Sequence, residues 1–276
     1  MSDEPGGYQP GGPALSPRVR EQLLGRRNRF AAAWRRDPAR EVALLVLFLV
    51  ALAAIFTVAL GFKQHQFAQT GQAPDQTFWM ESAQRYRYIQ MVADGGSIPE
   101  LDRRMQAPDG YVPRSDTVLQ EIFLGRLHRR FAPEGLELAP FVRSVTRLLS
   151  ASAVFPVALL CFGVTRRRDA ALLGALLWAL ALPVAERGTG AVIFREDLAV
   201  PVLLWHLGFL ALWVRRSSLL PALLSGAFLA LSLLLWKVVT FYFLLLVAFL
   251  GTAHWLRREE PGRLLVGALL LLLPSA

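Results

Sequence analysis

Residues 42–62 read VALLVLFLVALAAIFTVALGF, a run that contains no Asp, Glu, Lys or Arg. An α-helix needs about 20 apolar residues to cross the ~30 Å hydrocarbon layer of a bilayer, so this run is predicted to be a transmembrane helix. It is longer than the apolar region of a typical signal peptide and lacks a convincing cleavage site. We therefore interpret it as a signal anchor.

Further apolar blocks predict an all-α, polytopic membrane protein with about six to seven transmembrane helices. After the first, the predicted spans are 144–164, 170–185, 198–214, 219–235 and 238–255, and a seventh is predicted to begin near residue 264. Residues 144–276 are thus predicted to form a transmembrane bundle. Of the 276 residues, 54% are hydrophobic and 18% are charged, whereas soluble domains are roughly 25% charged. This composition argues against a single soluble domain. Because the last apolar run is short, we expect the chain to be the N-terminal portion of a longer protein.

The distribution of arginine predicts the orientation in the membrane. Residues 1–41 form an N-terminal segment that we expect to be disordered at first and basic just before the first span. Arginines also follow the second, fourth and sixth spans, at positions 166–168, at 215 and 216, and at 257, 258 and 263. Cytoplasmic flanks carry the excess of Lys and Arg, so the N-terminus is predicted to be cytoplasmic in a plasma (inner) membrane. We expect a lipid bilayer and no nucleic acid as a partner.

Three segments are then predicted to be extracytoplasmic: residues 63–143, called loop 1, residues 186–197, called loop 2, and the tight turn 236–238. In loop 1, Asp75 is predicted to cap a helix that runs to about Asp94 and stops at Gly95-Gly96. Ser115 or Asp116 is predicted to cap a second, amphipathic helix. Its apolar stripe, opposite Gln120, Glu121, His128, Arg129 and Arg130, comprises Val118, Leu119, Ile122, Phe123, Leu127 and Phe131. The sequence leaves open whether this stripe lies on the membrane surface or packs on protein.

Acidic residues near the ends of spans are the candidates for chemistry, because a charge there is costly unless it is paired, hydrated or used. Glu81 lies in the first helix of loop 1, and Glu196 and Asp197 directly precede the fourth span. Structural alternatives exist for each: Glu81 can pair with Arg85 at i,i+4, and the Arg195-Glu196-Asp197 segment can be an ordinary loop end. Carboxylate clusters of this kind suit hard divalent cations. A packing role is favoured for His206, and the single cysteine, Cys161, excludes a disulfide framework.

The order of these motifs resembles the N-terminal half of the GT-C glycosyltransferases, in particular the catalytic subunit of the oligosaccharyltransferases. Loop 1 carries an acidic residue six positions before an arginine, Glu81 and Arg87, and then Asp102-Arg103 and Pro108-Asp-Gly-Tyr111. Loop 2 carries Arg187-Gly-Thr-Gly190 and then Arg195-Glu196-Asp197 at the start of a span. The chain departs from the family at Glu81, where Asp is usual, and at Arg195, which occupies an acidic position if Asp197 takes the other. The family's WWD motif is not found in the 276 residues of the sequence.

The resemblance implies a reaction at the outer face of the membrane: transfer of a glycan from a polyprenyl-linked (pyro)phosphate donor to an acceptor, a protein or a glycan. It implies Mg²⁺ or Mn²⁺ as cofactor, with metal-binding and catalytic roles for Glu81, Glu196 and Asp197. Arg187, Arg87 and Asp102 are the implied substrate-binding residues. Two alternatives remain open: another GT-C enzyme that uses lipid-phosphate sugars, and a non-catalytic membrane scaffold or transporter half.

Overall fold

The computed structural model describes residues 38–78, 81–106, 108–113, 116–216 and 218–256. Within these ranges the regular secondary structure is helical, and the one sheet-like contact is an isolated bridge between Asp102 and Tyr111. The all-α prediction is therefore confirmed for the described residues. In chain order the helices are α1 (Pro38–Gln69), α2 (Glu81–Ala93), α3 (Leu119–Phe131), α4 (Leu138–Ala151), α5 (Val154–Thr165), α6 (Arg168–Leu180), α7 (Leu182–Glu186), α8 (Glu196–Arg216), α9 (Leu219–Leu235) and α10 (Val239–Leu256).

Three of the described helical segments are long and apolar enough to cross a membrane: Pro38–Gln69, Leu138–Thr165 and Glu196–Arg215. Two shorter apolar helices, Leu219–Leu235 and Val239–Thr252, accompany them. These three candidate membrane-spanning helices suggest a membrane protein, whereas the predicted count of six to seven spans is not confirmed. The predicted seventh span and the N-terminal segment before residue 38 lie outside the described residues.

Prolines account for two departures from the predicted spans. The segment predicted as 170–185 is divided into α6 and α7, and Pro183 lies in the first turn of α7. The segment predicted as 144–164 begins earlier, at Leu138, and is interrupted between α4 and α5 just before Pro156. Proline has no backbone N–H and its ring crowds the preceding turn, so an uninterrupted α-helix through either point is disfavoured.

Small residues pack α1 against α5 and α6. Their core contains Leu52 and Ala59 of α1 together with Ala171, Ala175 and Ala179 of α6. Small side chains let helix backbones approach closely, which favours helix association in lipid through van der Waals packing. The opposite side of α1 exposes large apolar side chains, among them Leu47, 64% exposed. This apolar surface is suited to contact with lipid.

Loop 1 folds into a compact helical unit with its own core. Ile89 of α2, Leu124 of α3 and Val142 of α4 are almost fully buried there, together with Ile193 of loop 2. α2 and α3 approach closely at Gly125, where a Cβ atom would lie 2.6 Å from the carbonyl oxygen of Ile89. Loop 1 therefore packs against loop 2 through Ile193.

Two details of loop 1 differ from the sequence prediction. The first helix begins at Glu81 in the described residues, and Asp75 lies in a preceding turn. The second helix begins at Leu119, and Asp116 forms an ion pair with Arg195 instead of capping it. The expected apolar face is wrong in part, because Gln120 and Glu121 are buried while Phe123 and Phe131 are exposed. The reason is that loop 2 supplies polar partners to the buried side of α3.

Candidate functional site

Arg143 of α4 joins the start of loop 1 to loop 2. Its side chain is 1% exposed, and its guanidinium donates hydrogen bonds to the carbonyl oxygens of Pro74 (3.0 Å), Gln76 (2.6 Å) and Gly190 (2.6 Å). The guanidinium also lies 4.1 Å from the centroid of the Phe78 ring. A buried cation is stable only when its protons are paired, and here backbone carbonyls of both loops provide that pairing.

Gly190 makes the close contact between Arg143 and loop 2 possible. Its φ is +83°, in the left-handed region that residues with side chains rarely adopt. A Cβ atom at this position would also lie 2.7 Å from the carbonyl oxygen of Arg143. The Gly-Thr-Gly sequence of loop 2 thus has a structural reason that is independent of any ligand.

Ser82 connects the first turn of α2 to the same loop. The Ser82 hydroxyl accepts a hydrogen bond from the Ile193 N–H at 2.9 Å, and it lies 3.4 Å from the Ile193 carbonyl oxygen. Glu81, the preceding residue, therefore lies at the junction of the two loops. Its side chain is 81% exposed and is 3.9 Å from Arg85, so its carboxylate is open to solvent at this end of the bundle.

Asp197 lies in the first turn of α8 and is 4% exposed. Its Oδ2 accepts a hydrogen bond from the Phe194 N–H at 3.0 Å, an arrangement that stabilises the start of a helix. Its Oδ1 is buried and has no hydrogen-bond partner among the described residues. A cavity of about 10 Å³ beside Asp197, lined also by Gln120 and Thr146, is large enough for one water molecule.

Two cations, Lys63 and Arg187, interact with the acidic residues Asp197 and Glu196 at the start of α8. Lys63, at the end of α1, is buried and donates hydrogen bonds to the carbonyl oxygens of Val184 (2.6 Å) and Arg187 (2.5 Å), and its charge interacts with Asp197. Arg187 forms an ion pair with Glu196 at 3.0 Å. Lys63 is not among the predicted site residues, although a lysine near the end of an apolar helix is a recognisable signal.

Arg87 and Asp102 pair with each other. Arg87 Nη2 lies 2.5 Å from Asp102 Oδ2, and the Tyr88 hydroxyl donates to the same oxygen at 2.9 Å. Burial favours the neutral form of Asp102, but the hydrogen bonds from Arg87, Tyr88 and the Arg104 N–H outweigh it and lower its pKa. No contact between this pair and Glu196 or Asp197 is found in the described part of the chain. The pair braces α2 against the segment that follows it.

A second polar cluster, which the sequence analysis also missed, surrounds Arg195. Its Nη1 lies 2.7 Å from Asp116 Oδ2, and its Nη2 lies 4.0 Å from Glu121 Oε1. Burial raises the pKa of Glu121. Burial would also raise the pKa of Asp116, but hydrogen bonds and charge from Arg195, with a hydrogen bond from Tyr111, lower it overall. Arg195, which interrupts the acidic motif expected from the resemblance, therefore holds loop 2 against α3.

His206 has the packing role that its sequence position favours. It is fully buried in α8, with Nδ1 2.9 Å from the Ser225 hydroxyl of α9 and Nε2 2.8 Å from the Tyr242 hydroxyl of α10. Both ring nitrogens therefore have partners.

The residues expected to bind metal are brought to one end of the bundle, but they do not form a cage. The described residues contain no group of three or more His, Cys, Asp or Glu side chains that could hold a metal ion. Comparison with known proteins finds no family model and no curated protein that matches the chain.

Proposed function

We propose that the chain is the membrane part of a glycosyltransferase that takes a glycan from a polyprenyl-linked (pyro)phosphate donor at the loop-1 end of the bundle. The acceptor is a protein or a glycan. The proposal rests on the resemblance to oligosaccharyltransferase catalytic subunits and on one observation. Hydrogen bonds between Ser82 and Ile193 join loop 1 to loop 2, so Glu81 lies close to the loop that carries Glu196 and Asp197.

The charges at this junction suit a lipid-linked phosphate. Arg187 is 59% exposed although it pairs with Glu196, and it can turn its guanidinium to phosphate oxygens, which it binds with two parallel hydrogen bonds. Phosphate groups of membrane lipids lie at the level where transmembrane helices end. We assign Arg187 to the donor phosphate. Glu81 is exposed at the junction, and in this proposal it would help to hold the acceptor.

The carboxylates of Glu81, Glu196 and Asp197 supply only part of a ligand set for Mg²⁺ or Mn²⁺. The side-chain oxygen Oδ1 of Asp197 is buried and has no partner in the described chain. The backbone carbonyl oxygen of Asp197 receives no helix hydrogen bond from residue 201, because Pro201 has no N–H. Mg²⁺ is commonly bound by one or two carboxylates together with substrate phosphates. In this proposal Asp197 and Glu196 would hold the ion and Glu81 would assist, and the ion would stabilise negative charge on the departing phosphate.

The test uses membranes that contain the full-length protein, a polyprenyl-diphosphate glycan as donor, and peptide and glycan acceptors. We expect Asp197→Asn and Glu81→Gln each to lower transfer by about 100-fold or more, since positioned acid and electrostatic groups contribute that much. Glu134→Gln, at an exposed carboxylate in the turn between α3 and α4, is the matched control and should retain activity. Unchanged transfer in both Asp197→Asn and Glu81→Gln contradicts the proposal.

A further inference from the structure

A cavity of about 290 Å³ lies between α2 and α3, at the end of α2 that is remote from Glu81. The turn after α2 forms one wall, with Gly95 and Ser97, and α3 forms another, with Arg126 and Arg129. Because α2 has 13 residues, its two ends lie roughly 18 Å apart. The cavity is therefore separate from the carboxylates of the junction.

Two arginines give this cavity its charge. Arg126 and Arg129 are three residues apart on α3 and share one face of the helix. Neither makes a hydrogen bond or an ion pair with any residue that the structure describes, and no residue lining the cavity is acidic. A guanidinium presents a planar fork of N–H donors that matches the oxygens of a phosphate. Two such forks on one wall favour a phosphate over a single carboxylate.

The backbone around the cavity leaves recognition to these side chains. The Gly95 and Gly96 N–H groups close the end of α2 by donating to the carbonyl oxygens of Val92 (3.1 Å) and Met91 (2.8 Å). The end of α2 at the cavity is its C-terminus, which carries the negative end of the helix dipole. An anion therefore gains little from the backbone, and its affinity depends on Arg126 and Arg129.

Gly95 gives Arg129 its position. The φ of Gly95 is +90°, and a Cβ atom there would lie 3.0 Å from Arg129 Nη1. A larger residue at 95 would strain the turn and displace the guanidinium. The turn and the arginine are thus fitted to each other.

The remaining wall is apolar and lies near the end of the apolar helix α9. Val92, Ile98, Val118 and Ile122 line it. Thr117, next to Val118, donates its hydroxyl to the carbonyl oxygen of Leu235 at 2.8 Å, and Leu235 is the last residue of the apolar helix α9. The ends of such helices lie at the level of lipid headgroups.

We infer that this cavity binds a phosphate group, held by Arg126 and Arg129, with any apolar substituent lying on the Ile98 and Ile122 side. Anionic lipid headgroups and free phosphate share this chemistry. The inference does not depend on glycosyl transfer, because it concerns a different part of loop 1 and is tested by binding.

The experiment measures binding to the purified full chain in a nonionic detergent, by titration calorimetry. The probes are dihexanoyl phosphatidic acid, dihexanoyl phosphatidylcholine and inorganic phosphate. We expect the R126Q/R129Q double variant to bind phosphatidic acid about 10-fold or more weakly, as expected for the loss of charge-assisted hydrogen bonds. Arg130→Gln, at the next arginine of α3, which does not line the cavity, should leave the affinity unchanged.

The other probes identify the source of the phosphate. Binding of phosphatidic acid that Ile122→Ser weakens, with little affinity for inorganic phosphate, assigns the cavity to a lipid headgroup. Equal binding of both probes, insensitive to Ile122→Ser, assigns it to free phosphate. If the double variant does not fold, the R126K/R129K variant keeps the charge, loses the forks and should also bind more weakly. Equal losses in the double variant and Arg130→Gln, or no saturable binding of any probe, overturn the inference.

Discussion

At the scale of single residues, polar side chains fix how the two loops meet. Gln120 donates to the Phe194 carbonyl at 3.0 Å, and Arg195 reaches Asp116 and Glu121 from the other loop. Glu121 is nearly fully buried, and its Oε2 has no hydrogen-bond partner among the described residues. Such a carboxylate is disfavoured in its charged form. Asp116 has direct partners, so the two acids should respond to pH in opposite senses.

Glu121→Gln and Asp116→Asn test this contrast. Burial raises the pKa of Glu121 above its ordinary 4.5. The free energy of unfolding therefore falls as pH rises from the pKa of Glu121 in the unfolded chain to its higher pKa in the folded chain. Glu121→Gln should therefore raise the free energy of unfolding at pH 8 by about 1 kcal/mol relative to the unaltered chain, and the gain should vanish below pH ~4.5.

The pKa of Asp116 is lowered below its ordinary 3.8, so its stabilisation is present above that pH and is lost as pH falls through the folded value. Asp116→Asn should lower the free energy of unfolding by about 1 kcal/mol at pH 7, with a smaller loss in acid. Thermal unfolding of the purified chain at several pH values measures both. The same sign of change for the two variants at pH 7 to 8 would contradict the assignment.

At the scale of helices, α2 and α3 are joined by a contact that depends on one missing side chain. Besides the Ile89 carbonyl oxygen, a Cβ atom at Gly125 would meet the Cβ of Val92 at 2.7 Å. The Ile89 oxygen belongs to the backbone and the Val92 Cβ is bonded directly to it, so neither atom can move aside as the end of a flexible side chain would. The packing of loop 1 therefore requires glycine at this point of α3.

Gly125→Ala should weaken this helix pair, although alanine favours a helix by up to about 1 kcal/mol over glycine. Overpacking of this kind typically costs about 1–3 kcal/mol, so we expect a net fall in Tm. Gly61→Ala in α1 is the matched control, since nothing lies within 4 Å of its added Cβ atom, and it should keep or raise the Tm. Fluorescence-detected melting in detergent measures both. A higher Tm for Gly125→Ala than for Gly61→Ala would refute the close contact.

At the scale of the whole molecule, the sequence predicts helices better than it predicts their contacts. The run 42–62 predicts α1 because apolar length is a local property of the chain. The buried state of Gln120 and Glu121 could not be predicted, because their partners Phe194 and Arg195 lie about 74 residues further along the chain. Of the candidate site, Glu196 and Asp197 follow from their place before a span. The hydrogen bonds of Lys63 to the Val184 and Arg187 carbonyl oxygens could not be predicted, because these partners lie more than 120 residues further along the chain.

The orientation of the bundle is the remaining prediction from the sequence, and it follows from the arginines of the alternate flanks. Single cysteines introduced after Cys161→Ser test it. Glu134→Cys, in loop 1, should react with a membrane-impermeant maleimide in intact cells. Arg167→Cys, at a side chain that is 71% exposed between α5 and α6, should react only after permeabilisation. Both positions are exposed in the fold, so different labelling reflects the membrane and not burial. The reverse pattern would place the loop-1 end of the bundle in the cytoplasm, and transfer at the outer face would then be excluded.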